Sequence, residues 1–156
     1  MQKYFNSKNL AVIISLLILF LHYYIRTYSY NNWANVLGWD VLAYYLYLPF
    51  TFIYHDPGMV NQSVVDYIFQ TYNPSSTFYQ AYKIDNGNWV SMYSIGFAIL
   101  FSPFFFIAHA WASISGSYPA DGFSFPYQYC IGNGVMIYII AGIFIIRKVL
   151  LHFFSD

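Results

Sequence analysis

The sequence predicts an all-α integral membrane protein, with about three transmembrane helices and interfacial helices in a long first loop. Charge is the first reason. Only 8% of the 156 residues are Asp, Glu, Lys or Arg, where a soluble domain carries about 25%, so a water-facing surface cannot be covered. The second is apolar content: 59% of the chain is hydrophobic and 24% aromatic. The third is arrangement, because the apolar residues gather into three runs of near-bilayer length separated by two polar connectors. The formal net charge is zero and no basic patch exists, which excludes the electrostatic footprint of nucleic-acid binding. A single cysteine, Cys130, excludes an internal disulfide and a cysteine-based metal cluster. Its place at the head of an apolar run reads as a buried, inert thiol.

The first span is expected near residues 9–27. Met1–Lys8 is short and polar, with Lys3 and Lys8, and Leu10–Ile25 is continuously apolar as far as Leu21. A signal peptide is the rival reading, since its apolar region needs only about 7–15 residues. No small-residue cleavage site follows; Arg26 and a Tyr/Asn-rich stretch do. The run therefore reads as a retained helix, with Tyr23, Tyr24, Tyr28 and Tyr30 as an aromatic belt at the interface. His22 reads as an interfacial or helix-packing residue.

The first loop, residues 28–91, which the resemblance given below makes non-cytoplasmic, holds the stretch Gly38–Pro49, which places Asp40 at the head of an aromatic helix expected near Trp39–Leu48. A carboxylate at a membrane boundary is costly unless it is paired, solvated or used, which makes Asp40 a functional candidate. It equally reads as an N-cap, because Asp before an apolar run is a favoured cap. The residues alone leave these two readings even. Asp56, between His55 and Pro57, is a second candidate acid with a turn-former as its alternative. Ser63–Tyr72 spaces Val64, Tyr67, Ile68 and Thr71 at helical intervals, as an amphipathic helix lying on the interface would, with Asp66 on its solvated face. Asn73–Ser76 and Asp85–Asn88 are turn signals.

The second span is expected near residues 92–113, inside the run Trp89–Ser113. Pro103 should bend it, as neighbouring helices in a membrane tolerate, and Gly96 offers a point of close packing. His109 reads as a packed histidine rather than a metal ligand. The connector Ser115–Pro126 is too polar to cross, and the third span is expected near residues 129–150, ending at Arg147 and Lys148. Gly132, Gly134 and Gly142 suggest tight helix contacts on it. Three crossings would put Asn86 and Ser124 on opposite sides of the membrane. No repeat or linker interrupts residues 1–156, so no domain boundary is expected. With the N-terminus inside, Lys3 and Lys8 are cytoplasmic while Arg26, Lys83, Arg147 and Lys148 are not. That count favours the reverse orientation, although the long loop carrying Lys83 weakens its vote.

Four motifs run through the chain in order: Asp40 with Tyr44-Tyr45-Leu46-Tyr47-Leu48-Pro49; Phe52-Ile53-Tyr54-His55-Asp56; Tyr93, Gly96 and Pro103-Phe104-Phe105 with His109; and Tyr118-Pro119-Ala120-Asp121-Gly122-Phe123-Ser124 with Pro126-Tyr127-Gln128. Together they resemble the N-terminal part of GT-C polytopic glycosyltransferases, of the protein O-mannosyltransferase and aminoarabinose-transferase type. The resemblance implies transfer of a sugar, usually with inversion, from a polyprenyl-phosphate donor to an acceptor. It implies Asp40 as the catalytic base or acceptor-orienting acid, with Tyr44, Tyr45, His55, Asp56 and Tyr93 around the substrate. A base is needed to take the acceptor proton, whereas a phosphate leaving group lessens the need for an acid.

The partners so implied are the lipid-linked sugar, membrane lipids and further C-terminal helices of the same enzyme. The place so implied is a bacterial inner membrane, with the first loop facing the periplasm. No cofactor is called for, and a divalent metal is left open. The chain departs from the family where a basic residue commonly sits at the mouth of the second span: it has Ser91-Met92-Tyr93, and the nearest upstream cation is Lys83. With three spans it reads as an incomplete, inactive N-terminal fragment of such an enzyme. The alternative reading is a small non-enzymatic membrane protein whose aromatic loop binds a partner or lipid. A transporter fragment fits less well, because no broken helix pair or mid-span charge is present.

Overall fold

The computed structural model describes residues 6–28 and 36–155; Lys3 and Tyr30, which figure in the expectations above, lie outside them. The described chain is mostly helical. Three of its helices are long and apolar enough to cross a membrane: α1 (Ser7–Tyr28), α5 (Gly96–Ser115) and α6 (Phe125–Leu150). Between α1 and α5 come α2 (Asp40–Tyr45), α3 (Tyr47–Phe52), α4 (Gln62–Tyr72) and a hairpin of β1 (Ala81–Lys83) and β2 (Trp89–Ser91). The chain divides into two compact units, one made of its terminal segments up to residue 32 and from residue 133, the other of residues 33–132.

In the terminal unit, α1 and the later part of α6 run antiparallel. Arg147 Nε donates to Ser7 Oγ at 2.9 Å, and sixteen residues along α1 the Tyr23 hydroxyl donates to Asn133 Oδ1 at 2.6 Å. The first of α1's free amide groups are met by Asn6, whose side chain accepts from the Asn9 N–H at 2.9 Å. Ala11 and Ser15, four residues apart, are its buried positions, and the Ser15 hydroxyl is satisfied by the Ala11 carbonyl at 2.8 Å. Small residues at that spacing let another helix approach closely.

In the middle unit, α2 and α3 are nearly one helix. The Leu46 and Phe50 N–H groups carry the ladder across the break, to the Leu42 and Leu46 carbonyls. Leu42, Ala43, Tyr45, Leu46, Leu48, Pro49 and Phe50 are all buried. The helix expected near Trp39–Leu48 is present as α2 and α3, and most of it is buried against the rest of the unit. Its open side is the narrow face of Asp40, Tyr44, Tyr47 and Thr51, at helical spacing, and the remaining faces are apolar and largely buried. It packs along α5, with Tyr45 against Phe105 and Phe52 against Phe106. The inner face of α5 is Ala98, Phe101, Phe105, Ala108 and Ala112, at alternating steps of three and four.

Helix α4 forms where the periodicity placed it, from the Asn61 cap, which accepts from the Ser63 N–H at 3.2 Å, to Asn73 in the left-handed conformation. It buries Val65 and Ile68. To the mostly helical fold expected from the sequence the structure adds a short antiparallel hairpin, paired Ala81↔Ser91 to Lys83↔Trp89. The Asp85–Asn88 turn signal is its loop, with Gly87 at φ +90°. Strands of three residues are too short to leave a period in the sequence. Helix α5 starts at Gly96 rather than near residue 92, because β2 is followed by a bend in which the Tyr93 N–H turns back to Ser91 Oγ. It runs through Pro103, whose missing N–H would orphan the Ile99 carbonyl. The Ser102 hydroxyl fills that gap, donating to Ile99 O at 2.7 Å. Helix α6 starts before residue 129 because Pro126 suits a first turn, where no N–H is needed.

Candidate functional site

The site begins at a backbone position that a tryptophan rarely adopts. Trp39 has φ 54° and ψ −131°, a region that costs a non-glycine residue about 1–3 kcal/mol. Its N–H donates to the Pro74 carbonyl at 2.9 Å, and its own carbonyl accepts from Gln80 Nε2 at 3.1 Å. Gln80 is fully buried and is anchored by a second bond from Nε2 to Ser75 Oγ at 2.9 Å. The Trp39 side chain is 60% exposed, so the strain serves no burial of the ring. It turns the chain so that α2 starts at Asp40.

Asp40 makes no capping hydrogen bond; the residue at the cap position is Trp39. The carboxylate points instead at two tyrosines from distant parts of the loop. Tyr79 and Tyr93 each donate their hydroxyl to Asp40 Oδ1 at 2.8 Å. Tyr79 is placed by the neighbouring Gln80. Tyr93 is held on both sides of its backbone: its N–H donates to Ser91 Oγ at 3.2 Å and its carbonyl accepts from the Tyr47 hydroxyl at 2.6 Å. Ser91 Oγ in turn donates to the Ala43 carbonyl at 3.3 Å. The Tyr44 ring meets that of Tyr93 edge-on at 4.7 Å and that of Phe97 at 4.7 Å.

These hydrogen bonds fix the protonation states. The Tyr93 hydroxyl, and after it that of Tyr79, hold the Asp40 carboxyl below its ordinary range, against a small opposing effect of desolvation. The same contact pushes Tyr93 up to about 12 and raises Tyr79, because a phenolate beside the carboxylate is disfavoured. At neutral pH the cluster is therefore one carboxylate and two neutral phenols. Both phenolic protons are already given to Oδ1, so what remains to a ligand is acceptor capacity: Asp40 Oδ2 and the lone pairs of the two hydroxyls. Such an array takes a hydrogen-bond donor and repels a phosphate. Its single carboxylate is short of the several oxygen ligands that a divalent cation needs, and no cluster of three or more His, Cys, Asp or Glu occurs among the described residues.

Of the residues singled out in the sequence, the structure brings together Asp40, Tyr44 and Tyr93. It engages the other three elsewhere. Tyr45 is fully buried and donates its hydroxyl to the Gly122 carbonyl, and burial raises its pKa. Asp56 accepts from the Val60 and Asn61 N–H groups at 3.1 and 2.9 Å, the role of a turn-former. His55 is an exposed residue of the same turn with φ 51°. Next to the Tyr93 anchor lies a cavity of about 370 Å³, walled by Leu46, Phe50, Met59 and Trp89, with Tyr47 and Ser91 in its lining.

Sequence reasoning missed Trp39, Tyr79 and Gln80 as parts of this site; Tyr79 stands 39 residues from Asp40, and nothing local marks it. It also missed Asp121, the hub of the Tyr118–Gln128 motif. Asp121 Oδ2 accepts from the Tyr67 hydroxyl at 2.9 Å and from Tyr72. Its Oδ1 accepts from the Phe123 and Ser124 N–H groups at 2.9 and 3.1 Å, and its carbonyl accepts from the Tyr54 hydroxyl at 2.8 Å. Asp before Gly is an available signal for that turn. The motif is thus a structural staple between the loop and the chain beyond α5. Set against protein-family models, curated proteins and solved structures, the chain matches none of them.

Proposed function

We propose that the chain carries the acceptor end of a membrane glycosyltransferase site, with Asp40 as the group that receives the acceptor. The observation that carries this reading is the Asp40 carboxylate, held ionised through Oδ1 by Tyr79 and Tyr93 while Oδ2 stays available. An acceptor hydroxyl donates to Oδ2. As its oxygen bonds to the anomeric carbon of a polyprenyl-phosphate sugar, the bond from that carbon to the phosphate oxygen breaks. The phosphate leaves with the electron pair, and the hydroxyl proton passes to Asp40. A carboxylate with a depressed pKa is a weak base toward a neutral alcohol, so the proton moves late, as the oxygen gains positive charge. The phosphate leaving group requires no acid partner of the kind a hydrolase supplies.

Tyr44, edge-on to Tyr93, offers an aromatic border for a sugar ring. Tyr93 is a positioning residue, aiming the carboxylate. The acceptor-only cluster does not bind phosphate, so the donor's phosphate takes its counter-charge from outside this cluster. The setting we infer is a bacterial inner membrane, with residues 36–91 on the periplasmic side.

The test is turnover. Since residues 1–156 read as inactive without the further C-terminal helices that this reading implies, membranes containing them joined to those helices, and matched membranes lacking the enzyme, are supplied with a panel of polyprenyl-phosphate hexoses and pentoses, and loss of lipid-linked sugar is followed. Protein-dependent consumption of at least one donor is expected. Equal consumption in the two membranes across the panel returns the loop to the non-enzymatic reading, a surface that binds a partner or lipid.

A further inference from the structure

We propose that α5 is not a membrane crossing: only α1 and α6 cross, and the outer face of α5 is a lipid-contacting surface. This inference is independent of the transferase reading. It starts from the terminal unit. Ser7 pairs with Arg147 and Tyr23 with Asn133, so α1 and α6 are antiparallel along their apolar lengths. The chain that leaves this pair at Tyr28 re-enters it at Asn133, at the same end. Whatever lies between must cross the bilayer an even number of times. A single crossing by α5 is odd, and none of the other described segments between Tyr28 and Asn133 is long and apolar enough to supply a return.

The middle unit gives a second argument. Tyr93, three residues before α5, donates to Asp40, while Asp121, beyond the other end of α5, is held by Tyr54, Tyr67 and Tyr72. One continuous stretch of loop, residues 40–72, thus grips both ends of α5 by polar side chains. For α5 to span, that stretch and its carboxylates Asp56 and Asp66 would have to extend through the hydrocarbon with it, at a cost of several kcal/mol for each unsatisfied group.

The outer face of α5 is nevertheless apolar. Ile99, Leu100, Pro103, Ile107 and Ile114 recur at helical spacing and are exposed, with Ile114 at 85%. No charged side chain interrupts them. A contiguous exposed apolar stripe marks an interaction surface. Its occupant is the lipid leaflet, because the covalently linked spans α1 and α6 keep the unit at a bilayer.

The charges agree. Lys8, Arg147 and Lys148 gather at one end of the α1–α6 pair and Arg26 at the other. The positive-inside rule then makes the chain's two ends cytoplasmic and residues 36–132 non-cytoplasmic, removing the conflict that a three-span count creates.

The test uses single cysteines in a Cys130→Ala background, at Asn86, Ser117 and Ser155, labelled from each side of sealed vesicles by an impermeant maleimide. Asn86 and Ser117 should label from one side and Ser155 from the other. Asn86 and Ser117 on opposite sides would overturn the proposal. Spin labels on single cysteines at Ile99, Ile107 and Ile114 in a Cys130→Ser background give a second readout. A lipid-surface helix places all three at one shallow depth. A crossing helix puts Ile107 at mid-bilayer, and a stripe covered by another protein copy gives labels inaccessible to lipid-soluble relaxers; either result rejects the surface proposed.

Discussion

Tyr93 donates its hydroxyl to Asp40 Oδ1 at 2.8 Å across 53 residues of sequence, and this bond is the largest influence on the Asp40 carboxyl. It makes a carboxylate at the head of a six-residue helix an acceptor that stays ionised at neutral pH. The Asp40 pKa is lower in the folded than in the unfolded chain. Its stabilising effect is therefore complete above the ordinary carboxylate range and is lost as pH falls through the depressed value. Transfer should accordingly keep its acid limb below that ordinary range. Tyr93→Phe should move the limb upward and slow transfer by about tenfold, the size expected for loss of one charge-assisted hydrogen bond. An unmoved acid limb in this variant, read from pH–rate profiles, would separate Tyr93 from the ionisation of Asp40.

Trp39 should show a trade of stability against function. Its φ of 54° with ψ −131° suits glycine. Trp39→Gly should relieve backbone strain, leaving thermal stability unchanged or raised by up to ~1 kcal/mol. It should loosen α2 and lower transfer. Destabilisation on melting would mean that the exposed ring supports the fold more than the strain opposes it.

Gly122 and Gly87 form a matched pair. Both have φ near +90°, but a Cβ on Gly122 would stand 2.6 Å from Pro49 Cβ, whereas one on Gly87 meets nothing within 4 Å. Gly87→Ala should cost ~1 kcal/mol from backbone strain alone. Gly122→Ala should cost about 2–4 kcal/mol, because the rigid proline of α3 cannot give way. Denaturation of both variants in one detergent is the comparison, and equal losses would remove the steric argument.

Much of the scaffold was legible because its signals are local. Apolar length marked α1, α5 and α6, the helical spacing of Val64, Tyr67, Ile68 and Thr71 marked α4, and Asn73–Ser76 and Asp85–Asn88 marked turns. What was not legible depends on contacts far apart in sequence. The burial of α2–α3 needs α5, the hairpin needs pairing across its loop, and the partners of Asp40 come from Tyr79 and Tyr93. Tyr45 shows the limit most plainly. The resemblance placed it with Tyr44 around the substrate, yet one residue turns a helical side chain by about 100°, and Tyr45 faces Phe105 and Gly122.

Pro103 and Ser102 should be coupled. Ser102→Ala leaves the Ile99 carbonyl without its hydroxyl donor and should cost ~1 kcal/mol. Pro103→Ala restores the backbone N–H and should itself be tolerated. In that background Ser102→Ala should cost no more than a few tenths of a kcal/mol. A double-mutant cycle with no coupling would show that the serine is not replacing the missing amide.

The functional account stands on Asp40, and Asp40→Asn tests it most directly. The change keeps the size of the side chain and one acceptor oxygen for Tyr79 and Tyr93, but removes the negative charge and the ability to take a proton. Since Asp40 caps nothing, helix α2 and membrane insertion should be unaffected. With a lipid-linked sugar that the wild-type protein consumes, transfer by Asp40→Asn should fall by at least ~10²-fold. Transfer within a few-fold of wild type, by a variant inserted to the same level, would contradict the assignment of Asp40 as the group that receives the acceptor.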